Sequence, residues 1–249
     1  MLNNSIIDEF NNRFPKEIRN EFLFPIESYL LFLDGLSLNP LNFLEKWLDI
    51  ERQSTSNKYW KQSTKLDWKW SLSFPLFSLI EKYIENISKP IIIGFSGLPG
   101  SGKSTLGFWI DRVARDLGLE IKVISLDDFY LPGNEMDFAM KGNPWNVPRG
   151  YPGSHSIELL NQSLETFLQT GILVCPSFDK SLRDGKGDRS GFCEFKPKVL
   201  ILEGWFVGCE PITNLNEIDY LSEDKYNLCL SKFEKEFRIS IQESLIKYS

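Results

Sequence analysis

The stretch that decides the fold runs Pro90-Ile-Ile-Ile-Gly-Phe-Ser-Gly-Leu-Pro-Gly-Ser-Gly-Lys-Ser104. It begins with a short, continuous apolar run, which is typical of a strand buried on both faces of a parallel sheet. The glycine-rich part fits G-x-x-x-x-G-K-[ST] without a gap from Gly97 to Ser104. This motif is the P-loop, in which successive backbone N–H groups point at phosphate oxygens.

The P-loop predicts a nucleotide site, and we expect the ligand to be ATP with magnesium. A helix that follows the loop directs its positive end at the phosphates. Lys103 places a charge beside the β- and γ-phosphates and acts in catalysis, while the Ser104 hydroxyl binds magnesium. A purely structural glycine-rich turn is the alternative. The residues expected to bind ATP are Gly97, Leu98, Pro99, Gly100, Ser101, Gly102, Lys103, Ser104 and Thr105.

The segments around the P-loop predict an α/β fold. Apolar residues recur at helical spacing from Leu106 to Leu117, and Glu120 to Ser125 predicts a second strand. A strand-helix-strand unit of this kind is right-handed and implies a parallel sheet. A helix is expected near 157–168, and irregular loops over 131–153 and 183–191. The four expected strands lie near residues 91–95, 121–125, 172–175 and 199–202.

The two ends of the chain are expected to be helical. Residues 1–88 hold four of the seven tryptophans, no alanine and one glycine, with apolar residues at helical spacing. We therefore expect a helical N-terminal extension over 1–88, its aromatic residues packed in a core, and a P-loop NTPase-type core of parallel sheet flanked by helices over 89–249. The stripe of the final amphipathic helix is Tyr226, Leu230, Phe233, Phe237, Ile241 and Leu245.

Composition argues against several classes of protein. The net charge of −6 argues against a nucleic-acid binder, which normally has a basic face. No apolar run is long enough to span a bilayer. Four widely spaced cysteines and one histidine make a zinc site improbable. The expectation is reduced cysteines in a cytoplasmic protein.

Two carboxylates follow the second strand, in Ser125-Leu-Asp-Asp-Phe-Tyr130. We expect this strand to lie beside the P-loop strand, and ligands bind at the carboxyl edge of an open α/β sheet. Asp127 can accept the proton of an acceptor hydroxyl or help to hold the metal, with Asp128 next to it. The alternative is an acidic cap on a turn.

A third carboxylate, Glu203, closes the apolar strand Lys198 to Leu202. Its position is that of a Walker-B carboxylate, with glutamate where aspartate is more usual, so it is a candidate magnesium ligand. An ordinary charge at the end of a strand is the alternative.

Two loops carry further polar residues. The first, Arg149-Gly-Tyr-Pro-Gly-Ser-His155, contains the single histidine, whose role is either structural or catalytic. The second runs from Phe178-Asp-Lys180 to Arg189 and is rich in cations. On an acidic protein these cations either attract an anion or simply face solvent.

Through these segments the chain resembles the D-glycerate 3-kinase family, within the larger group of uridine kinase, phosphoribulokinase and pantothenate kinase. The resemblance covers residues 90–211. GFSGLPGSGKST, SLDDFYLP, RGYPGSH, FDKSLRDGKGDR and ILEGWFVG stand in the family's order and spacing. The P-loop is shared by many families, whereas the RGYPGSH, FDK and GDR segments are the more specific ones.

The resemblance implies phosphoryl transfer from ATP to the 3-hydroxyl of D-glycerate. Asp127 matches the group's catalytic base and Glu203 its metal- or acceptor-binding acid. The residues expected to bind the acceptor are Asp128, Arg149, His155, Lys180 and Arg189.

The family continues well beyond Gly204, so we expect this core to be shortened at its C-terminus. Two alternatives stay open. One is a kinase for another small hydroxylated acceptor, such as a nucleoside, pantothenate or a sugar phosphate. The other is a nucleotide-binding module without turnover. The sequence does not predict the oligomeric state.

Overall fold

The chain divides into two units. A computed structural model describes residues 4–20, 25–53, 67–86, 88–212, 214 and 231–248. One unit holds residues 1–88 and 105–121, and the other holds residues 89–104 and 122–249. The second unit begins at Lys89, where the predicted core also begins. The helix after the P-loop belongs to the first unit from Thr105 onward. The division into an extension and a core stays a prediction.

The first unit is helical, as predicted for the N-terminal residues. Its elements are α1 (Asn4–Arg13), α2 (Lys16–Arg19), α3 (Ile26–Gly35), α4 (Pro40–Gln53), a π-helical turn (Lys69–Ser73), α5 (Phe74–Ile84) and most of α6 (Lys103–Asp116). Aromatic rings fill its core: Trp47 stacks on Phe74 with ring centroids 4.3 Å apart, and Trp70 and Trp109 are fully buried. The aromatic residues described here therefore serve packing.

The second unit contains the P-loop sheet, formed by β1 (Ile91–Ser96), β2 (Ile121–Ser125) and β5 (Val199–Gly204) in the order β1-β5-β2. β1 and β5 are parallel, with Ile91 opposite Val199 and Ser96 opposite Gly204. Every residue of β5 is buried, as its continuous apolar run predicts. The same prediction for β1 is wrong, because β1 lies at the end of the strand order and all its residues are half-buried or exposed. The expectation that β2 lies beside β1 is wrong, because β5 lies between them.

A separate antiparallel pair joins β3 (Leu173–Asp179) to β4 (Asp188–Phe195). The sequence predicted a parallel strand near 172–175 and a loop over 183–191, and both predictions need correction. Most of β4 is exposed, so it lacks the apolar run that marks a buried strand. Because its sequence is polar and contains glycine, β4 lacks the pattern by which a strand is predicted.

Helices cover the strands within this unit. The predicted helix near 157–168 is α8 (Ile157–Thr170), which follows the short helix α7 (Gly133–Ala139). On α8, Ile157, Leu160 and Phe167 share a buried cluster with residues of β2, β3 and β5. The α/β fold with a parallel sheet flanked by helices is thus confirmed.

The last described elements are α9 (Lys232–Leu245) and a 3₁₀ turn (Ile246–Tyr248). Ser231 caps α9 through a reciprocal hydrogen-bonding pair with Glu234. Of the predicted stripe, Phe233 to Leu245 lie on this helix, whereas Tyr226 and Leu230 lie outside the described residues. Leu245 is buried, and Phe233 is 54% exposed.

Two of the expectations drawn from composition concern membrane-spanning segments and the state of the cysteines. Among the described helices, none has the length and apolar content needed to cross a bilayer. Cys175, Cys193 and Cys209 are free thiols. Cys229 lies outside the described residues.

Candidate functional site

The P-loop lies between β1 and α6, and its glycines adopt a backbone that other residues rarely take. Gly100 and Gly102 have φ angles of +77° and +90°. A Cβ built on Gly97 would lie 3.1 Å from the Lys103 side chain, so a larger residue there would crowd that lysine. The Lys103 ammonium donates to the Leu98 carbonyl at 2.8 Å, inside the loop. Open backbone space and a cation together suit a polyphosphate.

Ser104 and Glu203 meet at the carboxyl edge of the sheet. The Ser104 hydroxyl donates to Glu203 Oε1 at 2.9 Å, and Glu203 is 3% exposed. Glu203 lies opposite Phe95 in the β1–β5 register, which brings it to the P-loop. The next residue must be glycine, because a Cβ on Gly204 would lie 2.6 Å from Leu126 Cβ.

The Ser104–Glu203 pair fits magnesium. Magnesium is commonly bound by one or two protein oxygens, with water and substrate phosphates completing the shell. A hydroxyl and a buried carboxylate provide those oxygens. Within the described ranges, no group of three or more histidine, cysteine, aspartate or glutamate side chains could hold a metal ion.

Asp127 and Asp128 lie in a 3₁₀ turn, Leu126–Phe129, directly after β2. The Ser125 hydroxyl accepts from the Asp127 backbone N–H at 3.3 Å, and Asp128 Oδ2 accepts from the Ser125 N–H at 3.2 Å. Asp128 therefore caps the turn, while Asp127 extends towards Lys180. Burial raises the pKa of Asp128 despite these backbone hydrogen bonds.

The charge of Asp127 is stabilised by two neighbours. The Lys180 ammonium donates to Asp127 Oδ2 at 2.7 Å, and His155 Nε2 lies 3.9 Å from Oδ1. Burial alone would raise the pKa of Asp127, but His155 and Lys180 outweigh burial and hold it well below its usual value. Asp127 is thus ionised at neutral pH and can accept a proton.

His155 is buried against Tyr130, with ring centroids 4.4 Å apart and an interplanar angle of 21°. Its Nδ1 lies 2.7 Å from the Tyr248 hydroxyl. Burial lowers the pKa of His155, and the charge of Asp127 offsets only part of this effect. The imidazole is therefore neutral at pH 7.

These groups line one cavity of about 920 Å³. Lys103, Ser104, Asp127 and Glu203 lie on it with three predicted acceptor residues, Arg149, His155 and Lys180. Sequence reasoning missed the wall that α9 contributes through Arg238, Ile241 and Gln242. The amphipathic pattern predicts the helix, but nothing in it indicates that its polar residues face a site.

The remaining predicted acceptor residues do not line this cavity. Arg189 donates to the Tyr130 carbonyl at 2.9 Å and to the Ser156 hydroxyl at 3.0 Å. Asp128 is held in the turn after β2. Neighbouring backbone and hydroxyl groups engage the Asp128 carboxylate and one terminal nitrogen of Arg189, whereas Arg189 Nε is buried without a hydrogen-bond partner among the described residues.

Arg149 lines the cavity, but its guanidinium is engaged elsewhere. It donates to the carbonyls of Gly185 and Lys186 at 2.9 and 2.7 Å. It also lies over the Phe178 ring, 5.9 Å from the centroid. Arg149 thus holds the turn between β3 and β4 against the cavity.

Comparison with known proteins finds kinases among the proteins similar to this chain. No protein-family profile matches it. It is 36% identical over 148 residues to "Uncharacterized kinase mug58" of Schizosaccharomyces pombe, covering 55% of this chain and 53% of that protein. It is 35% identical over 171 residues to "Probable ATP-dependent kinase TDA10" of Saccharomyces cerevisiae, covering 61% and 57%. It is 33% identical over 135 residues to the chloroplastic D-glycerate 3-kinase of Arabidopsis thaliana, covering 49% and 30%.

Solved structures agree with these relatives. "Structure of YGR205w protein" superposes with a TM-score of 0.57 at 30% identity, covering 74% of this chain and 64% of that one. The D-glycerate 3-kinase from Cryptococcus neoformans superposes with a TM-score of 0.57 at 28% identity, covering 70% and 65%. The resemblance to D-glycerate 3-kinases and related P-loop kinases is confirmed. The chain spans 30% to 57% of the length of these curated relatives.

Proposed function

We propose that this chain transfers the γ-phosphoryl group of ATP to a hydroxyl of D-glycerate. The observation that carries the proposal is the cavity in which the P-loop residues Lys103 and Ser104 lie with Asp127 and Glu203. A phosphate site and an ionised carboxylate in one cavity are the two parts that phosphoryl transfer to an alcohol requires. The named D-glycerate 3-kinases among the similar proteins support the choice of acceptor.

The chemistry follows from the position of each group. P-loop N–H groups and Lys103 bind the β- and γ-phosphates. Ser104 and Glu203 would hold magnesium, which neutralises phosphate charge when bound. A bond forms between the acceptor oxygen and the γ-phosphorus as the bond from that phosphorus to the bridging oxygen of ADP breaks. Asp127 takes the hydroxyl proton, while Lys180 keeps its carboxylate oriented.

The acceptor is expected to carry an anion because the cavity wall is rich in cations. Lys180 is paired with Asp127, Arg149 is bound to two carbonyls, and Lys103 belongs to the P-loop. Arg238 lines the cavity from α9 and forms no salt bridge with the described residues, and its charge contributes to lowering the pKa of Glu234 one turn earlier on that helix. A guanidinium matches a carboxylate in shape as well as charge. We assign the D-glycerate carboxylate to Arg238.

An assay of ADP release with D-glycerate, uridine, pantothenate or no acceptor tests the proposed function. We expect release to depend on D-glycerate and to match the phosphoglycerate formed. Preference for uridine or pantothenate would identify the chain as a kinase for another acceptor. ATP binding without release in any mixture would identify a nucleotide-binding module.

The Arg238→Gln variant tests the carboxylate assignment. Losing a charge-assisted pair costs about 1.5–3 kcal/mol, so the KM for D-glycerate should rise roughly 10- to 100-fold while the KM for ATP stays within about twofold. Steady-state kinetics with each substrate varied measures both values. Lys232→Gln removes an equal charge from the exposed start of α9 and should change neither. Equal increases in both KM values would place Arg238 at the phosphates instead.

A further inference from the structure

The last described residues of the chain return to the cavity. Several contacts hold this C-terminal segment, defined as residues 232–248, and three of them are made by Phe237, Gln242 and Tyr248. Phe237 packs edge-on against the Tyr151 ring at 5.6 Å, and Gln242 Oε1 accepts from the Ile212 N–H at 2.8 Å. The third is made by the Tyr248 hydroxyl, which lies 2.7 Å from His155 Nδ1 and 3.1 Å from the Gly153 nitrogen.

Hydrogen-bond directions at Tyr248 follow from what each atom can do. The Gly153 backbone N–H can only donate, so the tyrosine oxygen accepts from it. Burial raises the pKa of Tyr248, so the hydroxyl keeps its own proton. Among the described residues, the acceptor within reach of that proton is His155 Nδ1. Tyr248 therefore donates to Nδ1, which must be unprotonated.

The other neighbour of Nδ1 does not reverse this direction. The Ser154 hydroxyl lies 3.3 Å from Nδ1, but it donates its proton to the Tyr151 carbonyl at 2.6 Å. Ser154 could accept from a protonated Nδ1, yet the Tyr248 proton would then lose its acceptor. The pair is part-buried, and leaving a donor unsatisfied there costs up to about 1–3 kcal/mol.

The surroundings of Nε2, on the opposite edge of the His155 ring, favour the same tautomer. Among the described residues, His155 Nε2 is buried without a hydrogen-bond partner, and it faces Asp127 Oδ1 at 3.9 Å. A bare nitrogen lone pair would repel that ionised carboxylate, whereas an N–H is attracted to it.

We infer that Tyr248 is a positioning residue that keeps the His155 proton on Nε2, facing the Asp127 carboxylate. In that orientation Nε2–H stabilises the charge of Asp127, whose carboxylate takes the hydroxyl proton of the acceptor. The tautomer does not depend on the identity of the acceptor, whereas its effect on turnover rests on the proposed function. Tyr248 acts through His155 and touches no reacting atom.

The single histidine allows the tautomer to be measured directly. In a protein labelled with ¹⁵N, the imidazole signals all belong to His155. We expect a pyrrole-type shift for Nε2 and a pyridine-type shift for Nδ1 in the unmodified chain. Tyr248→Phe keeps the ring but removes the donor, so the two shifts should move towards each other or exchange. Tyr83→Phe, at a residue 54% exposed, should leave them unchanged.

Two spectra would overturn the inference: a protonated Nδ1 in the unmodified chain, or an unchanged pattern in Tyr248→Phe. The spectrum of the unmodified chain needs no variant, so the inference can still be tested if Tyr248→Phe fails to fold.

Steady-state kinetics adds a second readout. Loss of one positioning hydrogen bond should lower kcat about three- to tenfold with KM for ATP unchanged, and an unchanged kcat would reject the positioning role. If D-glycerate is not phosphorylated at all, the proposed function fails while the spectra still decide the tautomer.

Discussion

Replacing Lys103 with alanine is expected to abolish phosphoryl transfer. Lys103 is the cation that the P-loop itself provides, and its ammonium lies within the loop, 2.8 Å from the Leu98 carbonyl. Without it, the β- and γ-phosphates lose a charge that acts in a site partly shielded from water. We expect turnover to fall below detection and ATP affinity to drop. The release of ADP and the binding of a fluorescent ATP analogue measure the two effects.

A surface lysine provides the matched control for this variant. Lys141→Ala removes the same charge from an exposed position that does not line the cavity, and both readouts should match the unmodified chain. Turnover near the unmodified level in Lys103→Ala would contradict the assignment of the P-loop as the ATP site. A thermal unfolding midpoint close to that of the unmodified chain would exclude loss of fold as the cause.

The nucleotide half of the site was predictable because its signals are local. A continuous apolar run indicates a strand, and β1 and β5 both have one, although only β5 is buried throughout. The P-loop spacing gives the order of the phosphate-binding groups along the backbone. Glu203 follows a buried strand, so its place at the sheet edge also follows from local pattern.

Strand order was not predictable from the same signals. Apolar runs indicate where strands lie but not which neighbour each one pairs with, and the sheet places β5 between β1 and β2. β4 escaped prediction because its side chains are mostly exposed and give no apolar period. Its pairing with β3 depends on backbone hydrogen bonds, which no side-chain pattern reports.

The acceptor side could be predicted only in part. Arg149 and Arg189 are equally good candidate anion ligands by residue type, yet backbone carbonyls engage both guanidinium groups. Arg238 gives no signal, because a polar residue on an amphipathic helix usually faces solvent. Tyr248 gives none either, because it lies in the short turn after that helix. Their contribution depends on where α9 packs, which is a property of the tertiary structure.

Asp127→Asn is expected to lower turnover by about a hundredfold or more while leaving ATP affinity nearly unchanged. General-base catalysis typically contributes 10²- to 10⁴-fold, and an amide cannot take the hydroxyl proton. The pKa of Asp127 lies below its usual value, so the carboxylate is a weak base whose role also includes orienting the hydroxyl. In this variant Lys180 would also lose its ion pair with the carboxylate at position 127. Single-turnover kinetics and ATP titration separate the two effects.

Two further aspartates provide controls for this variant. Asp184 is exposed and has a φ of +57°, a conformation that asparagine tolerates, so Asp184→Asn should leave turnover unchanged. Asp128→Asn alters the cap after β2, where Asp128 accepts from the Ser125 N–H, and should affect stability more than chemistry. A larger loss of turnover in Asp128→Asn than in Asp127→Asn, with thermal stability unchanged, would show that the base is the capping carboxylate. The acceptor would then lie on the other side of the turn, since Asp127 alone among the two lines the cavity with Lys180 and His155.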